Sequence, residues 1–386
     1  MKPKDSADIQ FAARLVLDEL VSRALMQQVL QTQTELIERG KPMTVAQICV
    51  AKKWLSRAEA RLLLAGEQAP SDLVEGFTIL QRLGTGGMSQ VFLAEDKESG
   101  EEVALKVLKP HLARRTTALE RFRREAELLI RFDHANIVKG FRFLESDGLQ
   151  AVSMEAVPGR ELLELIDEGG AFQEDAALYV VLQTARALTH MYDHGVVHRD
   201  VKPGNILITA DNTVKLCDLG LASQGDEVAP DGTTVGTVEY ISPEQAMGEG
   251  TVDVRSDIYA LGVTLYHLVV GEIPFKGVDD HETMAKRFVE SLSSPKLARV
   301  SPHVHYFIQK MMATDPDIRY QSPDELIQDF EESIRGKKTL TANPLSEDAA
   351  SLELKRPFEK SDKDREAPIR LKSSRKPGGL SRRRRR

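Results

Sequence analysis

An α+β fold of two lobes, with a small all-α module ahead of it and a disordered basic tail behind it, is predicted by three observations. Apolar side chains recur at helical spacing from Ala7 to about Gln68. Runs rich in Val, Ile and Leu, separated by turn residues, begin at Phe77 and give way to long helical patterns beyond Leu162. After about Gly336 the periodicity dissolves into mixed charge, serine and proline, which bury too little apolar surface to offset the entropy of ordering the chain. The chain therefore divides into a helical module (residues 1–69), a linker (70–76), a main domain (77–335) and a tail (336–386).

The module reads as two helix-turn-helix units. Phe11, Ala12, Leu15 and Val16 share one helical stripe, and the halves repeat at an offset of 34 residues: Ala12, Val16, Ser22, Arg23, Ala24 and Leu30 recur as Ala46, Val50, Ser56, Arg57, Ala58 and Leu64. Ser56 and Glu59 have capping-box spacing, in which each side chain satisfies a backbone N–H left free at a helix start, and Ser22 stands at the equivalent place. Helices are expected to begin there. Gly66 to Ser71, with Pro70, breaks the pattern. Strands are expected at Phe77 to Leu83, Val91 to Glu95 and Val103 to Leu108, and a helix at Leu119 to Phe132.

Composition narrows the class. A chain of 386 residues, 41% apolar and 29% charged, has room for two or three packed domains and is neither fibrous nor wholly disordered. Cys49 and Cys217 lie far apart without zinc-type spacing, which points to a reducing compartment. The longest apolar stretch, Ile258 to Val270, contains His267 between Asp257 and Glu272, and it reads as a buried core helix, not a membrane span. Asp5, Asp8, Arg14 and Asp18 break up the layout a signal peptide needs, so the expected location is cytoplasmic. Residues 337–386 hold 16 Lys or Arg against 7 Asp or Glu, a local +9 within a total of −7, so the remainder carries −16. An acidic body argues against nucleic-acid binding by the folded part, and no membrane partner is assigned.

Three groups of residues carry chemistry. Gly84-Thr85-Gly86-Gly87-Met88-Ser89-Gln90-Val91 falls between two expected strands, where glycines let backbone N–H groups approach phosphates; by itself a plain hairpin turn explains it equally well. Lys106 ends the apolar run Val103-Ala104-Leu105, where a buried charge needs an anion, and Glu125 is a partner on the following helix; a surface lysine at a strand edge is the alternative. The run His198-Arg199-Asp200-Val201-Lys202-Pro203-Gly204-Asn205, followed by Cys217-Asp218-Leu219-Gly220, gathers two acids and an asparagine suited to magnesium and hydroxyl chemistry. Ser242-Pro243-Glu244 closes a polar loop.

Together these motifs resemble the eukaryotic-like serine/threonine protein kinase family, especially its bacterial members, over residues 77–335. The resemblance implies a bilobal protein-kinase-like fold that transfers the γ-phosphoryl group of ATP, with Mg2+, to protein hydroxyls. It implies that Gly84, Gly86 and Gly87 form the glycine-rich loop, with Ser89 in place of the usual third glycine. Leu83, Thr85, Met88, Val91, Ala104 and Leu207 are implied to line the nucleotide. Lys106 then holds the α- and β-phosphates and pairs with Glu125; Asp200 takes or orients the hydroxyl proton; Asn205 and Asp218 hold the metal; and Lys202 neutralises the γ-phosphate, which favours serine and threonine. Met154 resembles the residue guarding the pocket behind adenine, and Glu155 to Val157 the hinge that holds it, although an ordinary buried strand also fits these apolar positions.

Thr237 resembles the threonine that contacts Asp200 and Lys202. Thr233 and Thr234 are candidate phosphorylation sites, with Arg199 available to pair with such a phosphate, or they merely solvate the loop. Asp257 and Arg319 resemble supports of the catalytic loop and of Glu244. The module resembles small helical modules found beside bacterial ATPases and kinases, and it either binds a partner or docks on the kinase lobe. Protein substrates are expected as partners, together with a ligand of the module and a homodimer, while the run Arg382 to Arg386 touches lipid, nucleic acid or an acidic protein, or is solvated. A pseudokinase scaffold would lack one of Lys106, Asp200, Asn205 and Asp218. A kinase of small molecules would lack Lys202, Thr237 and Ser242-Pro243-Glu244.

Overall fold

The computed structural model describes residues 6–65, 70–219, 223–224, 238–248, 252–277, 282–283 and 297–341. They form two compact units, one of residues up to 126 with 141–156, the other of residues 127–140 and from 157 onward.

The first unit opens with α1 (Ser6–Leu17), α2 (Arg23–Glu38), α3 (Val45–Ala51) and α4 (Arg57–Leu64). Ser22 caps α2 by accepting from Leu25 N, and Ser56 with Glu59 forms a complete capping box at α4. Thr44 and Gln47 form another at α3. Each cap satisfies N–H groups that a helix start leaves without an intrahelical acceptor. Leu15, Val29, Val45, Ile48 and Cys49 fill the module's core. Asp8 ties three helices, accepting from Gln33 Nε2 at 2.6 Å and Val45 N at 3.1 Å. Burial pushes the Cys49 thiol up to about 11, as suits a packing residue, not a reactive one.

Five antiparallel strands follow in the order β1-β2-β3-β5-β4: β1 (Phe77–Thr85), β2 (Ser89–Asp96) and β3 (Glu102–Leu108), then, after α5 (Pro110–Ala113) and α6 (Thr116–Arg131), β4 (Gly140–Ser146) and β5 (Leu149–Glu155). Successive side chains alternate between the sheet's faces. Leu108 and Val152 on one face pack with Phe122 and Ala126 of α6. On the other, Phe92, Leu105 and Val107 share a core with Ala58 and Leu62 of α4 and with Leu73 and Val74. The sheet is thus covered on both sides. Residues 70–76, expected as a linker, contribute Leu73 and Val74, 2% and 1% exposed, to that core, and the module is docked on the lobe through it. A linker's polar punctuation was legible in Pro70 and Ser71; burial of the two apolar residues beyond it depends on the sheet they meet.

The second unit contains β6 (Gly159–Glu161), α7 (Leu162–Gly169), α8 (Glu174–Asp193), β7 (Val196–Val197), β8 (Ile206–Thr209), β9 (Val214–Leu216) and β10 (Ser223–Gln224). Among the described residues, α9 (Pro243–Met247), α10 (Val254–Val270), α11 (Pro302–Met311) and α12 (Pro323–Thr341) follow. The strands pair in two small sheets, β6-β8-β9 and β10-β7. The apolar stretch at 258–270 is the body of α10, buried nearly throughout, against α8 and α11. Gly262 makes the crossing with α11 possible, since a Cβ there would lie 2.7 Å from that of Met311. Among the described residues no helix is long and apolar enough to cross a membrane. α12 runs to Thr341, so residues 336–341, expected in the tail, are helical; Lys337, Lys338 and Leu340 are good helix formers that extend an already packed helix. The rest of the expected tail lies outside the described residues.

Candidate active site

In the first unit, strand register assembles one group. Gly84 pairs with Val91, Val91 with Lys106, Lys106 with Val152, and Ala104 with Met154, so Gly84, Val91, Ala104, Lys106 and Met154 share the face that α6 covers. Lys106, 9% exposed, donates to the carboxylate of Glu125, 5% exposed, and this ion pair is the polar feature inside an apolar packing of Leu108, Phe122 and Ala126. A lysine in such a place needs an anion, and Glu125 supplies one. The strand-edge alternative is therefore overturned. Glu155 ends β5 opposite Val103.

The glycine-rich segment is the β1–β2 hairpin, closed by Gly86 N donating to Ser89 O at 2.9 Å. Leu83, Gly84 and Ser89 are buried, Thr85 is half-buried, and Gly86, Gly87 and Met88 are exposed at the tip. Lys109, which the motif reading did not single out, donates from Nζ to Gly86 O at 2.7 Å and Gly87 O at 2.8 Å. Burial, and then the neighbouring Arg14, pull its ammonium below the ordinary lysine value. A cation directly after an apolar strand and before Pro110 was the available signal.

In the second unit, the loop after β7 gathers Asp200, Lys202 and Asn205. Lys202 Nζ donates to Asp200 Oδ2 at 2.6 Å; Asn205 Nδ2 donates to the same oxygen at 3.0 Å and to Asp200 O at 2.8 Å. With its amide nitrogen engaged, Asn205 has its side-chain oxygen left for a cation. Cys217 N donates to Asn205 O at 2.9 Å, which locks the start of the Asp218 segment to the same loop. Asp218 is exposed with φ 62°, while Leu219 beside it is 1% exposed, so the backbone turns the carboxylate outward as the apolar neighbour turns in. Leu207, 7% exposed, lies on β8, and Val157 is 4% exposed. Thr237, the candidate phosphorylation sites Thr233 and Thr234, and Gly220 lie outside the described residues.

Arg199 adopts φ 67°, a left-handed conformation that costs a non-glycine residue roughly 1–2 kcal/mol. Asp257, in the first turn of α10, over-determines it by accepting from His198 N at 2.8 Å and Arg199 N at 2.7 Å. Burial leaves the Asp257 carboxyl above its ordinary value, against the opposing pull of His198, Arg199 and those two N–H donors. Gln245 adds a bond to Arg199 O at 3.1 Å. Changing Asp257 to alanine strands two N–H groups, so an unfolding free energy lower by about 2–4 kcal/mol is expected in urea titration. Asp257→Asn, which keeps one acceptor, is expected to recover about half.

The donor set suits magnesium. Among the described residues no group of three or more His, Cys, Asp or Glu could hold a metal ion by itself. Asn205 and Asp218 offer two oxygen donors, which is what magnesium takes from a protein when phosphate and water complete its shell.

Residues 77–330 match the protein kinase domain family. The chain is 38% identical over 272 residues to the serine/threonine-protein kinase PknB of Mycolicibacterium smegmatis, 37% identical over 272 residues to that of Mycobacterium tuberculosis, and 36% identical over 271 residues to that of Mycobacterium leprae. Each match covers 68% of this chain and 43% of the relative.

Proposed function

The chain belongs to the protein kinase family, and from that premise we propose that it transfers the γ-phosphoryl group of ATP to serine and threonine hydroxyls of proteins. The observation that carries the reading is the convergence of Lys202 and Asn205 on one carboxylate oxygen of Asp200. A carboxylate held by an ammonium and an amide is oriented to accept a hydroxyl proton, while the ammonium beside it meets the charge that grows on the transferred group. Lys106, held by Glu125, takes the α- and β-phosphates, and the backbone from Leu83 to Ser89 covers them. Val91, Ala104, Met154 and Leu207 supply apolar surface for the base, with Glu155 and Val157 giving it backbone hydrogen bonds. Asn205 and Asp218 hold magnesium, which when bound neutralises phosphate charge.

Thr237 contacts Asp200 and Lys202 in this proposal, and Thr233 and Thr234 are sites of autophosphorylation. The module of residues 1–69 and the tail from 336 are accessory to a catalytic domain of 77–335, acting in cytoplasmic signalling. The expected result with labelled ATP, magnesium and a generic protein acceptor is label on phosphoserine and phosphothreonine, abolished by chelator, with self-label mapping to Thr233 or Thr234. Label confined to tyrosine would overturn the specificity. No transfer despite binding of the magnesium nucleotide would make the chain a scaffold.

A further inference from the structure

The 34-residue repeat has a structural counterpart in two turns. The α1–α2 turn places Glu19 at φ 56° and the α3–α4 turn places Lys53 at φ 59°, and these positions are one repeat apart. The next residue in each turn sends its N–H back to the preceding helix, Leu20 N to Leu15 O at 3.0 Å and Trp54 N to Cys49 O at 2.9 Å. Both turns therefore present the carbonyl of an equivalent residue, and one side chain receives both. The Arg114 guanidinium donates to Leu20 O at 2.8 Å and to Trp54 O at 2.7 Å, with Glu59 Oε1 at 3.4 Å. Glu59 is itself held, since its other oxygen accepts from Ser56 N at 2.6 Å. A planar fork of fixed N–H directions suits three acceptors that the repeat sets in place, whereas a lysine ammonium could not span them.

Arg114 stands where this matters. It separates α5 from α6, and the first turn of α6 closes on its neighbour, with Leu119 N donating to Arg115 O at 3.0 Å. Glu125 lies nine residues beyond Thr116 on the same rigid helix, roughly 14 Å along the axis. At the other end of the short connector, Lys109 holds Gly86 O and Gly87 O. The module is in turn fixed to the sheet by Ala58 and Leu62 in its core and by Asp147 Oδ2, which accepts from Ala58 N at 2.9 Å. The neighbouring ion pair of Arg115 with Glu19, 57% and 76% exposed, adds little.

We propose that Arg114 is a positioning residue for the Lys106–Glu125 pair, seated in a socket made by the two repeat turns, so that the helical module is a built-in support for α6. The inference rests on the kinase reading for its effect on rate but not for its effect on the helix. The test compares the full chain with Arg114→Ala and Arg114→Lys well below their unfolding temperatures, using transfer rate against ATP concentration and amide exchange. In Arg114→Ala, kcat/KM for the magnesium nucleotide is expected to fall about 10-fold, amides of 116–126 to exchange about 10-fold faster, and those of 149–155 to be unchanged. Arg114→Lys is expected to lie between, and it carries the test if the alanine variant does not fold. Unchanged rates and unchanged exchange in α6 would overturn the proposal, as would faster exchange confined to residues 6–65. A wild-type chain without transfer activity would sink the kinase reading, leaving exchange in α6 to decide the positioning role.

Discussion

Asp200→Asn is expected to slow phosphoryl transfer by about 10²–10⁴-fold while changing the affinity for the magnesium nucleotide by less than about threefold. The substitution keeps size and one acceptor oxygen, so the bonds from Lys202 Nζ and Asn205 Nδ2 can persist on that oxygen. The negative charge and the ability to take a proton are lost. Because the proposed phosphate and metal contacts belong to Lys106, Asn205 and Asp218, ground-state binding should survive. Single-turnover transfer alongside calorimetric titration separates the two effects. A loss smaller than about 10-fold would remove Asp200 from the proton-accepting role, and a matching loss of affinity would make it a binding group instead.

How much of this was legible in the residues depended on the distance over which each signal acts. Local chemistry announced itself: Ser56 and Glu59, three apart, form the capping box expected of them, and the strand at Val103 to Leu108 is β3 to within one residue. The Lys106–Glu125 partnership was legible as a need, a lysine in an apolar strand calling for an anion on the next helix, and the family resemblance pointed to the same residue; the two are 19 residues apart and meet through sheet–helix packing. The repeat was visible as a spacing, but its use was not. Arg114 lies 94 residues from Leu20 and 60 from Trp54, and it binds carbonyls, which every residue carries and no side-chain pattern reveals. Leu62 looked like one more apolar residue of a helix stripe, yet it packs in the sheet core, not in the core that Leu63 joins. A helix can serve two cores with adjacent residues, and periodicity gives the stripe without saying what lies against it.

The dependence of the loop around Asp200 on its scaffold is tested most sharply at Arg319. Its guanidinium, 2% exposed as a residue, spends all five donors: Nη1 and Nη2 on Glu244 at 2.8 and 2.9 Å, and the rest on Ala313 O, Arg255 O and Thr314 O at 2.7 to 3.1 Å. Ser256 Oγ completes the carboxylate at 2.6 Å, and Tyr259 stacks 4.9 Å away. Burial pushes Glu244 up, but the bonds and charge of Arg319, with Ser256, outweigh it and hold the carboxyl below its ordinary value. A depressed carboxyl contributes stability that is present above its unfolded value, near pH 4, and is lost as pH falls through the folded value, so the pair is fully effective at neutral pH. Arg319→Ala abandons a buried carboxylate, and a loss of about 3–5 kcal/mol with a fall in Tm of about 10 °C is expected from thermal and urea unfolding at pH 7. Adding Glu244→Gln to that variant should restore part of the loss, because the abandoned charge is removed with it. The gap between variant and wild type should also narrow as pH drops below about 4, where the carboxylate that needed its partner takes up a proton. A variant as stable as the parent at pH 7 would mean that the buried pair breaks even with its desolvation cost, and that α9 and the Gln245 bond to Arg199 O are held by packing alone.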